Sequence, residues 1–305
     1  VYLVFHYAEL LRRPIEQIRL QLEQLQGAEA CIDRIGELLV LESAIADGTG
    51  PPLPAAPLSV RLEDVDFRYG SDPPVLTGLR VSLDAGRRLG VVGRTGSGKT
   101  TLARLLVRQL DARSGRVRVG ERPIESIPLA SLRERVAAVT QDVQLFQASV
   151  RDNVRLFDPR IGDDRIREAL AAVEMADWLA ALPDGLDTGL GAGGVGLSAG
   201  EAQLVAMARV FLRDPGLVLL DEASSRLDPV TARRVERATA RLVRGRTAVV
   251  IAHRLATLEH VDEILVLEEG RVVEHGERAD LLADPASRLR RLVETAPRER
   301  ASAPA

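Results

Sequence analysis

Arg88-Leu89-Gly90-Val91-Val92-Gly93-Arg94-Thr95-Gly96-Ser97-Gly98-Lys99-Thr100-Thr101-Leu102 decides the fold. The opening residues read as a buried strand, residues 93–100 fit the pattern G-x-x-x-x-G-K-[ST], and Leu102, Leu105, Leu106 and Leu110 then recur at helical spacing. A strand running through a glycine-rich turn into a helix makes main-chain N–H groups converge, and with the helix dipole they favour phosphate oxygens. Lys99 is the single lysine among 41 cationic residues. A general preference for arginine accounts for the others. At this position a compact ammonium can pass through a backbone nest that a planar guanidinium would crowd. In this chemistry Lys99 reaches the β and γ phosphates, and the Thr100 hydroxyl ligates Mg2+.

Composition narrows the rest. The 305 residues suffice for about two domains with a sizeable core. Aromatics make up only 3% and the formal net charge is -3, so neither the stacking platforms nor the basic footprint of a nucleic-acid binder is present at this level. Cys31 is the only cysteine, which excludes an intrachain disulfide and a cysteine-based metal site and fits a reducing compartment.

The chain divides by pattern. After Pro14, which suits a first helical turn, Ile15, Ile18, Leu22, Leu25, Ala28, Ile32, Ile35 and Leu39 recur every three or four residues, a long amphipathic helix too extended to be a short adaptor. No apolar run approaches the ~18 residues of a membrane-spanning helix. Gly48-Thr49-Gly50-Pro51-Pro52-Leu53-Pro54-Ala55-Ala56-Pro57 breaks helix and strand and marks a domain boundary. From Ser59 onward, strand candidates at 59–67, 88–92, 115–119, 137–140, 217–220, 247–251 and 263–267 surround a mostly helical stretch between Thr140 and Leu217, which points to a helical insertion into a sheet-containing core. Residues 294–305 are polar and rich in proline and alanine, as expected of a frayed tail.

A second chemical element is Leu217-Val218-Leu219-Leu220-Asp221-Glu222, an apolar strand ending in two acids at the edge where nucleotides bind in open α/β sheets. Asp221 suits the Mg2+ shell, and Glu222 suits a general base that polarises the attacking water. Together with the residues between them, these two elements resemble the nucleotide-binding domain of ATP-binding cassette (ABC) transporters over about residues 58–293. The distinguishing marker is Leu197-Ser198-Ala199-Gly200-Glu201, which stands where that family has LSGGQ. The resemblance implies an α/β P-loop NTPase cassette over 59–293, with a mixed sheet core, an antiparallel β subdomain and an inserted helical subdomain over about 142–213.

Further residues are placed by the resemblance. Gly93, Arg94, Thr95, Gly96, Ser97, Gly98, Lys99, Thr100 and Thr101 would hold the triphosphate of ATP. Tyr69 would stack on adenine, although a tyrosine ending a strand is by itself ordinary packing. Gln141 is similar to the glutamine that approaches Mg2+ and couples the helical subdomain to the transmembrane part. His253 matches the switch histidine that holds the γ-phosphate. In this family two cassettes bind head to tail, so Ser198 and Gly200 would contact the partner's γ-phosphate, and Asp228, in Ser225-Arg226-Leu227-Asp228, would face the other cassette. No role is assigned to His6, His260 or His275. The amphipathic segment 1–47 looks like the cytoplasmic end of the last transmembrane helix of an exporter-type half-transporter, with 48–58 as linker, and residues 145–154 also resemble the exporter branch. On that reading the chain is a fragment, its cassette lies on the cytoplasmic side of the plasma membrane, and its partners are its own transmembrane domain and a second half-transporter.

Ala199 and Glu201 depart from the signature: the alanine adds a methyl near phosphate, and the glutamate brings an acid near a polyanion. An asymmetric heterodimer follows as the expectation, with a tolerant homodimer as the alternative. Residues 188–194 resemble an exporter loop that carries a glutamate where Ala192 stands, and read equally as a flexible entry to the signature helix. A small-molecule, lipid or peptide substrate would be read by transmembrane helices. The competing functions are a soluble ABC ATPase acting on nucleic acid or ribosomes and a nucleotide-gated regulatory module; net charge disfavours the first, and Glu222 the second.

Overall fold

The computed structural model describes residues 2–40, 43–140, 142–191, 194, 196–221, 227–252 and 255–295. The chain forms two compact units, Val1–Ala46 and Asp47–Ala305. The first is one helix, α1 (Tyr2–Val40). Its stripe at Ile15, Ile18, Leu22, Leu25, Ile32, Ile35 and Leu39 is exposed, and Arg19 pairs with Glu16 and Glu23 one turn away on either side. Pro14 was expected to open this helix but lies within it. The proline gives up one main-chain bond, and helical backbone continues on both sides.

In the second unit, β1 (Val60–Phe67) and β2 (Leu76–Leu83) pair antiparallel, and β1 also pairs with β4, so that β3 (Arg88–Val92) and α2 (Lys99–Leu106) intervene before β4 (Ser114–Val119) and β5 (Arg122–Pro123) complete a four-stranded sheet in the order β2-β1-β4-β5. α3 (Leu129–Arg135) then leads into β6 (Val136–Val139). The helical insertion follows as α4 (Val150–Arg155), α5 (Asp163–Ala172), α6 (Ala176–Ala180) and α7 (Ala199–Arg213). β7 (Leu217–Asp221), α8 (Pro229–Val243), β8 (Thr247–Ile251), β9 (Glu263–Glu268) and β10 (Arg271–Glu277) complete a six-stranded sheet ordered β10-β9-β3-β8-β7-β6, and α9 (Arg278–Ala283) and α10 (Arg288–Thr295) end the described chain.

All neighbours in the larger sheet are parallel except β10 against β9. Period-two alternation divides the central strands between two cores. Leu89, Val91, Leu217, Leu219, Val249 and Ile251 join the core shared with the antiparallel sheet and α2, whereas Val92, Val218, Leu220, Ala248 and Val250 join the core shared with the helical insertion. Burial on both faces explains why these strands are continuous apolar runs. The pairing also sets the carboxyl ends of β3, β8 and β7 side by side, with Val91 opposite Ile251 and Ile251 opposite Asp221. A ligand site in such a sheet belongs at this edge.

The proline-rich stretch 48–58 is seated on the cassette. Asp47 Oδ1 accepts the Leu129 N–H at 2.7 Å, Gly50 N–H donates to Ser126 O at 2.8 Å, and Arg122 donates to Pro51 and Pro52 carbonyls. Leu53 and Leu58 are buried. A side chain at Gly48 would meet the Ile127 carbonyl, so this glycine is set by close backbone approach.

Candidate nucleotide site

β3 delivers the chain into the turn at Val92. Gly96 (φ 83°) and Gly98 (φ 102°) adopt left-handed backbone, and a Cβ on Gly98 would press on Leu76. A Cβ on Gly93 would collide with the Leu267 carbonyl. The turn is thus wedged against β9, and Gly270 N–H donates to Ser97 O at 3.1 Å from the β9–β10 turn. α2 begins at Lys99 with Gly98 as its cap residue and no side-chain cap, which leaves main-chain donors at that end.

Lys99 is 6% exposed. Its Nζ donates to Gly93 O at 2.7 Å and Arg94 O at 2.9 Å, with Ser97 Oγ at 3.5 Å. Burial pulls its pKa down, and Asp221 opposes that shift. Arg94, Thr95, Gly96 and Thr100 are exposed, and Ser97 and Thr101 are buried. Thr100 and Asp221 line one cavity of about 290 Å³ with Thr140 and Asp142, the residues flanking position 141. No group of three or more His, Cys, Asp or Glu side chains among the described residues could hold a metal alone. A hydroxyl and one carboxylate beside a phosphate-binding turn suit Mg2+, a hard cation that keeps waters and shares phosphate oxygens. Gln141, Glu222 and His253 lie outside the described residues.

Tyr69 is half-buried, its ring edge-on to Phe67 at 4.9 Å between centroids. Its hydroxyl lies 3.2 Å from Thr101 Oγ1, and Arg104 donates to it at 3.4 Å, so the ring is tied to the helix that carries Lys99.

A second cluster forms at the start of α7. Ser198 caps this helix: its Oγ accepts the Glu201 N–H at 3.2 Å and donates to Glu201 Oε2 at 2.8 Å, and Ser198 N–H donates to the same oxygen at 2.9 Å. Reciprocal bonding of this kind is a capping box. The spacing Ser198-x-x-Glu201 is itself the sequence signal of such a box, so Glu201 serves the helix start as well as bringing a negative charge to it. A Cβ on Gly200 would collide with Thr231 of α8, so Gly200 sets the spacing between α7 and α8. Asp228 caps α8 by accepting the Val230 and Thr231 N–H groups, each at 3.0 Å, and the Thr231 side chain leads the interactions that lower its pKa.

A family model described as ABC transporter matches residues 76–225. The chain is 36% identical over 276 residues to the ATP-dependent lipid A-core flippase of Saccharophagus degradans, covering 90% of this chain and 47% of the relative. It is 40% identical over 278 residues to the lipid A-core flippase of Thiobacillus denitrificans, covering 90% and 48%. A bacterial Atm1-family ABC exporter solved with ATP bound superposes with a TM-score of 0.79 at 32% identity, covering 95% of this chain and 52% of the exporter chain. The chain spans about half the length of the curated relatives it matches. No helix among the described residues is long and apolar enough to cross a membrane.

Proposed function

The chain belongs to the ABC transporter family and binds ATP, and on that premise we propose that it is the ATP-hydrolysing cassette of an exporter, working on the cytoplasmic face of the plasma membrane. The observation that carries this reading is Lys99, a buried cation whose hydrogen bonds among the described residues run to neutral oxygens of a glycine turn at an uncapped helix start, with the Asp221 carboxylate acting on it electrostatically. An ammonium so placed gains by exchanging carbonyl partners for phosphate oxygens, since bonds between charged groups are roughly twice as strong as neutral ones.

In this mechanism Lys99 and the N–H groups of residues 93–101 bind and orient the triphosphate, and Tyr69 stacks on adenine. Thr100 and Asp221 would hold Mg2+ with Gln141, and the bound ion would neutralise phosphate charge. Glu222, next in the chain after Asp221, would take a proton from the attacking water, and His253 would position the γ-phosphate. Segment 1–47 is read as the end of an exporter's transmembrane domain. Ser198, Gly200 and Asp228 would face a second cassette, and the substitutions Ala199 and Glu201 support a non-identical partner. The flippase and exporter relatives disfavour the nucleic-acid alternative. In the assembled transporter, Glu222→Gln should retain Mg-ATP binding while phosphate release falls roughly 10²- to 10⁴-fold. Undiminished release would overturn the assignment of the base.

A further inference from the structure

Two residues that the nucleotide chemistry leaves unused, Asn153 of α4 and Arg209 of α7, form one hydrogen-bonded knot beneath the segment that follows position 141. Asn153 is fully buried. Its Nδ2 donates to Phe146 O at 2.9 Å, Ser149 O at 3.1 Å and Ala148 O at 3.2 Å, and its Oδ1 accepts the Phe146 N–H at 2.9 Å and Arg209 Nη2 at 3.4 Å. Donors and acceptor are all used, so no other side chain reproduces the set. Arg209 adds Nε to Asn153 O at 2.9 Å and Nη1 to Gln144 O at 3.0 Å.

Arg209 makes no ion pair among the described residues, and burial lowers its pKa. Among the described residues this guanidinium exchanges hydration for hydrogen bonds to neutral oxygens alone, and removing it would leave the Gln144 and Asn153 carbonyls without that donor. What the planar fork supplies is direction: it fixes two backbone points, Gln144 and Asn153, against one helix. The same segment is held from its other side. Val150 N–H donates to Thr188 O and Leu190 N–H to Ala148 O, each at 2.9 Å, and Ser149 bridges Gly189. Residues 188–190 open the stretch that ends at Ser198. Segment 144–149 is therefore bound both to the body of α7 and to the chain that enters it.

We propose that Asn153 and Arg209 are positioning residues that lock segment 144–149 to α7, so that displacement at position 141 reaches Ser198 as a rigid movement. The proposal rests on the reading above, in which Gln141 and Ser198 serve one nucleotide cycle.

The test uses the 305-residue chain with Mg-AMP-PNP, comparing wild type, Arg209→Met and Arg209→Lys by nucleotide titration, thermal melting and hydrogen exchange. Wild type should show slower exchange on nucleotide binding both in residues 144–149 and in the first turn of α7, residues 199–203. Arg209→Met should bind nucleotide within about twofold of wild type and melt lower, since two carbonyls lose their donor, while staying folded at the temperature of the exchange experiment. It should keep the response at 144–149 and lose at least threefold of the response at 199–203. Arg209→Lys, with one donor group in place of the fork, should lie between, and carries the test alone if the methionine variant fails to fold. Equal responses in wild type and both variants would overturn the proposal, as would nucleotide binding that leaves 199–203 unchanged in wild type. Absence of binding that depends on Lys99 would instead remove the functional reading, and this inference with it.

Discussion

The starts of α2 and α7 present the same physical problem and solve it in opposite ways. Each helix leaves main-chain N–H groups unbonded in its first turn. At α2 the cap residue is Gly98, no side chain covers the donors, and the buried ammonium of Lys99 sits beside them. At α7 the cap is Ser198, and the Glu201 carboxylate accepts from both its N–H and its hydroxyl. One end leaves its donors uncapped beside a cation, and the other already holds an anion of its own. On the proposed reading, an incoming triphosphate would therefore displace carbonyl oxygens at α2 and meet a carboxylate at α7.

The sharpest way to break this contrast is at Gly98. Gly98→Ala forces a side chain into left-handed backbone, at about 1–2 kcal/mol, and against Leu76. ATP affinity measured by titration should fall about tenfold or more, and unchanged affinity would mean that the turn need not hold its shape. Next in size is Gly200→Ala, which drives a methyl into Thr231 and should destabilise the cassette by about 1–3 kcal/mol in denaturant unfolding. A neutral result there would show that α7 and α8 are not closely set.

The smallest expected effect has two signs. Glu201→Gln keeps an acceptor for the Ser198 N–H but removes the charge. Stability should fall by about 0.3–1 kcal/mol through lost interaction with the helix dipole. ATP-dependent pairing of cassettes, followed by sedimentation, should strengthen about threefold because a like charge near the phosphates is gone. Both quantities moving in the same direction would contradict the view of Glu201 as an internal competitor.

Much of this was legible in the sequence, for reasons tied to burial. The strands at 88–92, 217–221 and 247–251 are covered on both faces, so each reads as an apolar run, and the turn between β3 and α2 must spell its glycines. β2 was not read, because its pairing with β1 is irregular around Leu79 and Gly78 (φ 58°) interrupts the alternation. β10, Arg271–Glu277, is an edge strand with charged positions and no buried face to mark it. Seating of residues 48–58 was invisible because glycine and proline signal broken secondary structure, not absence of packing. The Asn153 and Arg209 knot left no trace either, since it links residues 56 apart through main-chain acceptors that any sequence supplies.

On the proposed reading a triphosphate displaces the neutral partners of Lys99. Titrating Mg-ATP into the 305-residue chain and into Lys99→Ala under identical conditions measures that displacement. Saturable binding that weakens by about 30-fold or more in the variant, roughly 2 kcal/mol for a charged hydrogen-bonding group, is the predicted result. Equal affinity in both, or no saturable binding in the unaltered chain, would contradict it.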